Sequence, residues 1–234
     1  MSKDLRIKKG LNINISGEAD KVYASVTPSS KYIIKPTDFY DITPKLEVKA
    51  GDIVKSGTSI FFDKYNPSIK FCSPVSGQIS KIVRGEKRKI VQIIIDADKD
   101  ISYKKFQISS AKDLSREEII KNMLDAGVWP FIRQRPYDVI ANPNDMPKAI
   151  FISSFNSAPL TIDNDFALYG NDDLFQKGLD FVVKLTKGKT YLNIDGNTNP
   201  SKMFSEAKGV EVNRFSGPHP AGNVGVQIHH IDPI

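Results

Sequence analysis

Two stretches decide the fold, Leu46-Glu-Val-Lys-Ala-Gly51-Asp52-Ile53-Val-Lys-Ser-Gly57 and Ser73-Pro-Val-Ser-Gly77-Gln-Ile-Ser-Lys-Ile-Val83. Both are short apolar runs broken by glycine or proline. Ser59-Ile-Phe-Phe62, Ile69-Lys-Phe-Cys72 and Ile90-Val-Gln-Ile-Ile-Ile-Asp96 continue the rhythm. Strand signals recurring every ~8–12 residues with turn residues between them predict a small sandwich or barrel. Gly51 and Gly57 are expected in turns at positive φ, and Pro74 with Gly77 should bracket a tight reversal.

The order Val-x-x-Gly-Asp-x-Val-x-x-Gly followed by Ser-Pro-x-Ser-Gly-x-Ile resembles the biotinyl/lipoyl-type barrel-sandwich fold. In lipoyl domains an Asp-Lys at a hairpin tip carries the cofactor. Asp63-Lys64 imitates it, but Lys64 stands nine residues before Ser73, with Tyr65-Asn66-Pro67 inserted, and a Met-Lys-Met biotin tip is absent. Lys64 is therefore expected to be an ordinary surface lysine.

Charge divides the 234 residues. Residues 1–110 carry 20 Lys and Arg against 12 Asp and Glu, a balance of +8, whereas residues 111–234 carry 13 against 15, or −2. A boundary near residue 110 follows, with a β module over 1–110 and a second domain over 111–234. Basic surfaces suit nucleic acid, anionic lipid or acidic proteins. Nucleic acid usually demands clustered basic residues interleaved with aromatic platforms; here they are scattered except at Arg84, Lys87, Arg88 and Lys89. That cluster is either a solvated hairpin turn or a docking contact, and nucleic-acid binding is not expected.

Other classes fall away quickly. No uninterrupted apolar run exceeds the four residues Ala149 to Ile152, far below the ~20 residues of a spanning helix. The start of the chain, Met-Ser-Lys-Asp-Leu-Arg-Ile, lacks the apolar segment of a signal peptide. A single cysteine, Cys72, cannot form an internal disulfide or build a thiolate zinc or iron–sulfur site.

From residue 111 the pattern changes to alternating strands and helices. Ser115 with Glu118 makes a capping box ahead of Ile119, Ile120, Met123 and Leu124 on one helical face, with Gly127 as the stop. A buried strand over 148–153 should follow. Asn171 caps a second helix whose core face is Leu174, Phe175, Leu179, Val182 and Val183. A strand at 190–194, a short helix at 200–208 and a strand at 210–215 complete the series, which implies a parallel sheet with crossover helices.

Such sheets often hold nucleotides, yet no two glycines are spaced Gly-x-Gly. Gly188-Lys189-Thr190 follows a helix and precedes a strand, the reverse of a P-loop. Gly-x-Ser-x-Gly is absent. His229 and His230 would face opposite sides of a strand, which spoils them as a chelating pair. No catalytic, cofactor-binding or metal-binding residue is expected. Two segments stand out. Trp129-Pro-Phe131-Ile-Arg133-Gln-Arg135-Pro136 offers aromatic faces and arginine forks to a planar ligand or an acidic surface, or else anchors the core. The loop carrying Gly217, His219, Gly222 and Gly225 follows a strand, where α/β folds keep their sites, or is a structural turn.

Together, Ile7-Lys-Lys-Gly-Leu-Asn-Ile, Phe71-Cys-Ser-Pro-Val-Ser-Gly77, Gly85-Glu-Lys-Arg, Gly127-Val-Trp-Pro-Phe-Ile-Arg-Gln-Arg-Pro136, Ser216-Gly-Pro-His-Pro-Ala-Gly222 and His229-His-Ile-Asp-Pro233 resemble the A subunit of the bacterial Na+-translocating NADH:quinone oxidoreductase. The resemblance implies an α+β multidomain chain, a barrel-sandwich module followed by a Rossmann-like α/β domain related to the flavin subunit of complex I but without its glycine-rich motif. It implies a peripheral position on the cytoplasmic face of the bacterial inner membrane. It places no cofactor in this chain, and puts FMN, riboflavin, FAD and iron–sulfur in partner subunits. Its partners would be the membrane and peripheral subunits of the same complex. Quinone or partner contact is an expectation for Trp129, Phe131, Arg133 and Arg135 with Gly217, His219, Gly222 and Gly225 of the loop over 217–225. Family members run well past Ile234, so the chain is expected to be an amino-terminal part. The alternatives are a ferredoxin-linked relative, disfavoured by the single cysteine, and a carrier or small-ligand module with a modified Lys64.

Overall fold

The computed structural model of the chain describes residues 1–234 except Met1, Glu18 and Ile108. Its strands are β1 (Asp4–Arg6), β2 (Lys31–Ile34), β3 (Pro44–Leu46), β4 (Ile53–Val54), β5 (Ser59–Asp63), β6 (Lys70–Cys72), β7 (Gly77–Arg84), β8 (Ile90–Ala97), β9 (Arg133–Gln134), β10 (Val139–Ile140), β11 (Ala149–Ser153), β12 (Lys189–Asp195) and β13 (Glu211–Ser216). The helices are α1 (Arg116–Asp125), α2 (Asn164–Ala167), α3 (Asp172–Val182), α4 (Lys202–Ser205) and α5 (Val224–Ile231). Contacts divide the chain into two units. One takes residues 24–109 and 117–144, the other residues 1–23, 110–116 and 145–234. The passage expected near residue 110 is one of several between them.

The first of these units is β-rich. Antiparallel strands form one sheet in the order β2-β8-β7-β4 and another in the order β3-β5-β6. Ile60, Phe61, Ile79, Ile93 and Ile95 are wholly buried, and the Phe61 and Phe71 rings stack at 4.4 Å. Gly51 and Gly57 take φ of +95° and +90°, as the turns around them require. The basic cluster is the tip of the β7–β8 hairpin, closed by Gly85 N donating to Lys89 O at 2.8 Å. Ile119, Ile120 and Leu124 of α1 are buried, and the helix ends where Val128 N reaches back to Met123 O at 3.1 Å around Gly127.

The second unit is an α/β layer structure. Its four strands are all parallel, in the order β1-β13-β12-β11. Alternation along β12 and β13 sends Leu192, Ile194 and Val212 to one face, where Met203, Phe204 and Phe175 of α4 and α3 cover them. Phe215 goes to the other, with Ile7, Ala221 and Val226. The sheet is therefore clad on both sides, as parallel sheets require.

Several local expectations are corrected. His229 and His230 lie on α5, not on a strand, because Asn223 Oδ1 accepts Gly225 N at 2.8 Å and caps a helix there. Asn171 makes no side-chain cap to α3; its amide donates to Tyr169 O. Leu174 is exposed, since the core face of α3 centres on Phe175 and Leu179. Residues 149–153 are half-buried throughout, β11 being an edge strand of the sheet. The helix expected over 200–208 is only the four residues of α4.

Candidate functional site

Parallel strands put all their carboxyl ends on one side, and the loops leaving them surround a crevice of about 250 Å³ in the α/β unit. After β11 come Phe155, Asn156, Ser157, Ala158 and Pro159; at the end of β12 and just beyond it, Asp195 and Asn197; after β13, Gly217; after β1, Asn12 and Ile13. This is the position where open α/β sheets bind ligands.

Backbone donors tie the four loops together. Asn12 Oδ1 accepts from His219 N at 2.8 Å, and Leu11 N donates to His219 O at 3.0 Å. Asn197 Oδ1 accepts from Gly217 N at 3.2 Å. Ser157 Oγ accepts from Gly222 N at 2.8 Å and lies 3.1 Å from His219 Nδ1. The glycines here are required by close approach: a Cβ on Gly217, at φ +114°, would sit 2.2 Å from Ile7 O, and one on Gly222 2.3 Å from Ser157 N. The Ser157–His219 pair suggests a nucleophile and base, but its serine is held by a backbone amide and no carboxylate hydrogen-bonds the imidazole among the described residues. A triad needs that third group, so the pair works as a clasp between loops.

The crevice lining contains no Lys, Arg or His among the described residues, and it contains one carboxylate, Asp195. Gly188, the apparent phosphate-loop glycine, instead packs where a Cβ would meet Lys148 O at 1.9 Å, and its N–H donates to Thr186 Oγ1 at 2.9 Å. No group of His, Cys, Asp or Glu able to hold a metal occurs among the described residues.

The other expected residues are in the β-rich unit. Trp129 is only 4% exposed, and its indole N–H donates to Ala141 O at 2.7 Å. Phe131 is 73% exposed, with its ring edge-on to Phe39 at 6.5 Å. Arg133 and Arg135 lie in the β9–β10 hairpin and share one partner: Arg133 Nε lies 3.2 Å and Arg135 Nη2 3.6 Å from Asp138 Oδ1, and Arg133 Nη2 also donates to Asp138 O. Trp129 to Arg135 thus belong to one unit, whereas Gly217, His219, Gly222 and Gly225 belong to the other. Arg84, Lys87, Arg88 and Lys89 are all exposed. Lys64 is exposed at the β5–β6 turn, its Nζ 5.6 Å from the Tyr65 ring centroid. The half-buried Cys72 thiol is pushed up in pKa chiefly by burial, which disfavours a reactive thiolate.

Sequence reasoning missed the crevice asparagines. The signal available for them was position alone, each standing a few residues beyond the end of a parallel strand.

Fold and site define a two-part protein, a small double-sheet β unit and a Rossmann-like unit whose crevice is lined, among the described residues, by no Lys, Arg or His. Residues 5–98 match the NqrA N-terminal barrel-sandwich hybrid domain and residues 114–234 the NqrA second alpha/beta domain, and the chain belongs to the NqrA family. It is 37% identical over 232 residues to the A subunit of the Na(+)-translocating NADH-quinone reductase of Psychromonas ingrahamii, covering 98% of this chain and 51% of that protein. The corresponding protein of Photorhabdus laumondii is 34% identical, with 98% and 52% covered. The chain spans about half the length of the curated relatives it matches. No helix among the described residues is long and apolar enough to cross a membrane.

Proposed function

We propose that the chain serves as the barrel-sandwich and Rossmann-like part of the A subunit in a Na+-translocating NADH:quinone oxidoreductase. It acts as a peripheral scaffold on the cytoplasmic face of the inner membrane, while FMN, riboflavin, FAD and iron–sulfur reside in partner subunits. The observation that carries the scaffold reading is the crevice lining: at the place where a related fold would hold flavin or nicotinamide phosphates, the lining offers Asp195 and no cation. A phosphate there would meet repulsion in place of the helix dipole and basic groups such sites use.

Two exposed features suit the partner subunits. One is the basic β7–β8 tip. The other is the β9–β10 hairpin with Phe131 beside it, whose arginines are already engaged by Asp138 and whose neighbouring Trp129 is buried. That engagement favours a protein contact over a quinone site at the hairpin.

The test is to purify the chain alone and with the other subunits. The chain alone should be colourless and release no flavin on denaturation, and it should co-purify with the membrane subunits. Near-stoichiometric flavin or iron–sulfur absorbance in the isolated chain would overturn the scaffold reading, and failure to associate would overturn membership of the complex. A lipoyl or biotinyl mass increment on Lys64 would establish the carrier alternative.

A further inference from the structure

Three asparagines line the crevice, and each has its side-chain oxygen occupied. Asn12 Oδ1 accepts His219 N at 2.8 Å, Asn156 Oδ1 accepts Ala158 N at 2.9 Å, and Asn197 Oδ1 accepts Gly217 N at 3.2 Å. These bonds fix which end of each amide is oxygen. They leave three Nδ2 amino groups with no hydrogen-bond partner among the described residues. Asp195 is the fourth polar group: one carboxylate oxygen accepts Asn197 N at 2.8 Å, and no donor among the described residues reaches the other.

The crevice wall therefore carries three exposed asparagines, each with a free amide donor, beside an acceptor-only carboxylate. Its single formal charge is negative, which disfavours an anionic ligand. Ile13, Phe155, Ala158 and Pro159 supply apolar lining for the face of a ring. A volume of about 250 Å³ lies below the ~300–1,000 Å³ of drug-sized sites, so the occupant is small. An acidic side chain near the carboxyl end of a parallel strand is a natural acceptor for ribose hydroxyls. A vicinal diol gives O–H donors to the carboxylate while its oxygens accept from amide N–H groups.

From this arrangement we infer that the crevice binds an uncharged molecule bearing a vicinal diol, either a nucleoside or a free sugar. The inference deepens the proposed function, resting on its reading of the crevice as a site without a phosphate cradle.

The test is calorimetric titration of the full chain with adenosine, ribose, 2′,3′-dideoxyadenosine and AMP. Adenosine or ribose should bind, and whichever does so identifies the nucleoside or the sugar as the source. Removing the diol should weaken binding about tenfold or more, the scale of one or two charge-assisted hydrogen bonds. AMP should bind more weakly than adenosine. Asn12→Asp retains the oxygen that holds His219 N while deleting the amino donor, and should weaken the diol probe about fivefold or more. Asp195→Asn should abolish discrimination between adenosine and its dideoxy analogue; if that variant does not fold, Asn12→Asp carries the test. Absence of binding by both diol probes, equal binding of dideoxyadenosine, or tighter binding of AMP would overturn the inference. A colourless chain that joins the complex yet ignores diols would overturn this inference alone and leave the scaffold reading standing.

Discussion

Asn193 Nδ2 donates to Gln227 Oε1 at 3.0 Å, and both side chains are fully buried. The pair belongs to a polar ladder crossing the parallel sheet. Gln227 Nε2 donates to Ser153 Oγ at 3.0 Å and Ala221 O at 3.2 Å; Asn213 Nδ2 donates to Asn193 Oδ1 at 3.2 Å; and Lys3 N donates to Asn213 Oδ1 at 3.0 Å. Buried amides left unpartnered cost ~1–3 kcal/mol each. Gln227→Leu should therefore destabilise the chain by roughly 2–4 kcal/mol, more than its gain in apolar burial offsets. Chemical denaturation checks this, and a double-mutant cycle with Asn193→Leu should show strong coupling. Additive effects would mean that the two amides act independently.

Arg133 and Arg135 meet at one carboxylate, so replacing either leaves Asp138 paired with the other. Arg133→Gln and Arg135→Gln should each change stability by less than ~1 kcal/mol, as partly exposed ion pairs do. In the assembled complex, the apparent quinone affinity should change less than about twofold, while association with the partner subunits weakens. Turnover against quinone concentration checks the first point. A drop of ~10-fold or more, the size of a lost charge-assisted hydrogen bond, would place a quinone headgroup at this hairpin.

The β7–β8 tip concentrates four exposed basic residues, and exposed charges are screened over ~8–10 Å at physiological salt. Reversing Arg84, Lys87, Arg88 and Lys89 to Glu should loosen association with the membrane subunits, with a larger deficit at low salt than at high. Assembly measured by co-purification across a salt series checks it. Normal assembly at every salt concentration would reduce the tip to a solvated turn.

Lys21 Nζ lies 2.5 Å from Asp163 Oδ2, and Tyr23 stacks on Phe166 at 4.5 Å, so residues 21–23 lie along α2. The hydrogen bond from Lys21, then that from Phe166 N, holds the Asp163 carboxyl below its ordinary pKa. A depressed carboxylate contributes stability above its unfolded value and loses it as pH falls through the folded one. The 21–23 segment should thus stay docked from neutral pH down to the ordinary aspartate range near ~4 and loosen only below it. Hydrogen exchange of these residues between neutral and strongly acidic pH measures the effect. Asp163→Asn should remove this pH dependence.

Much of the β-rich unit was legible because glycine and proline punctuate it; the reversals at Gly51, Gly57 and Gly77 could be placed from residue type alone. β11, β12 and β13 were equally legible as apolar runs between helices. β1 was not, because three residues carry no period, and its partner lies about 210 positions away. The helical state of His229 and His230 was hidden for a different reason: Asn223 looks like one more loop residue until its oxygen is seen to cap α5. Composition left Trp129 open between a ligand wall and a core anchor, and its burial is something that tertiary packing alone shows. The crevice asparagines escaped notice because asparagine is also a common turn residue, and what distinguishes them is the convergence of four loops.

The parallel pairing of β1 with β13 also has a consequence during biosynthesis. Once made, β1 finds its partner only after about 205 further residues, a wait of ~10–40 s at the usual ~5–20 residues per second. For that interval Leu5 and Ile7 have no sheet to cover them, while residues 24–109 already possess all of their own strand partners. Among the described strands β1 is thus the one left longest without its partner, and shielding it during that interval is a task for whatever meets the growing chain.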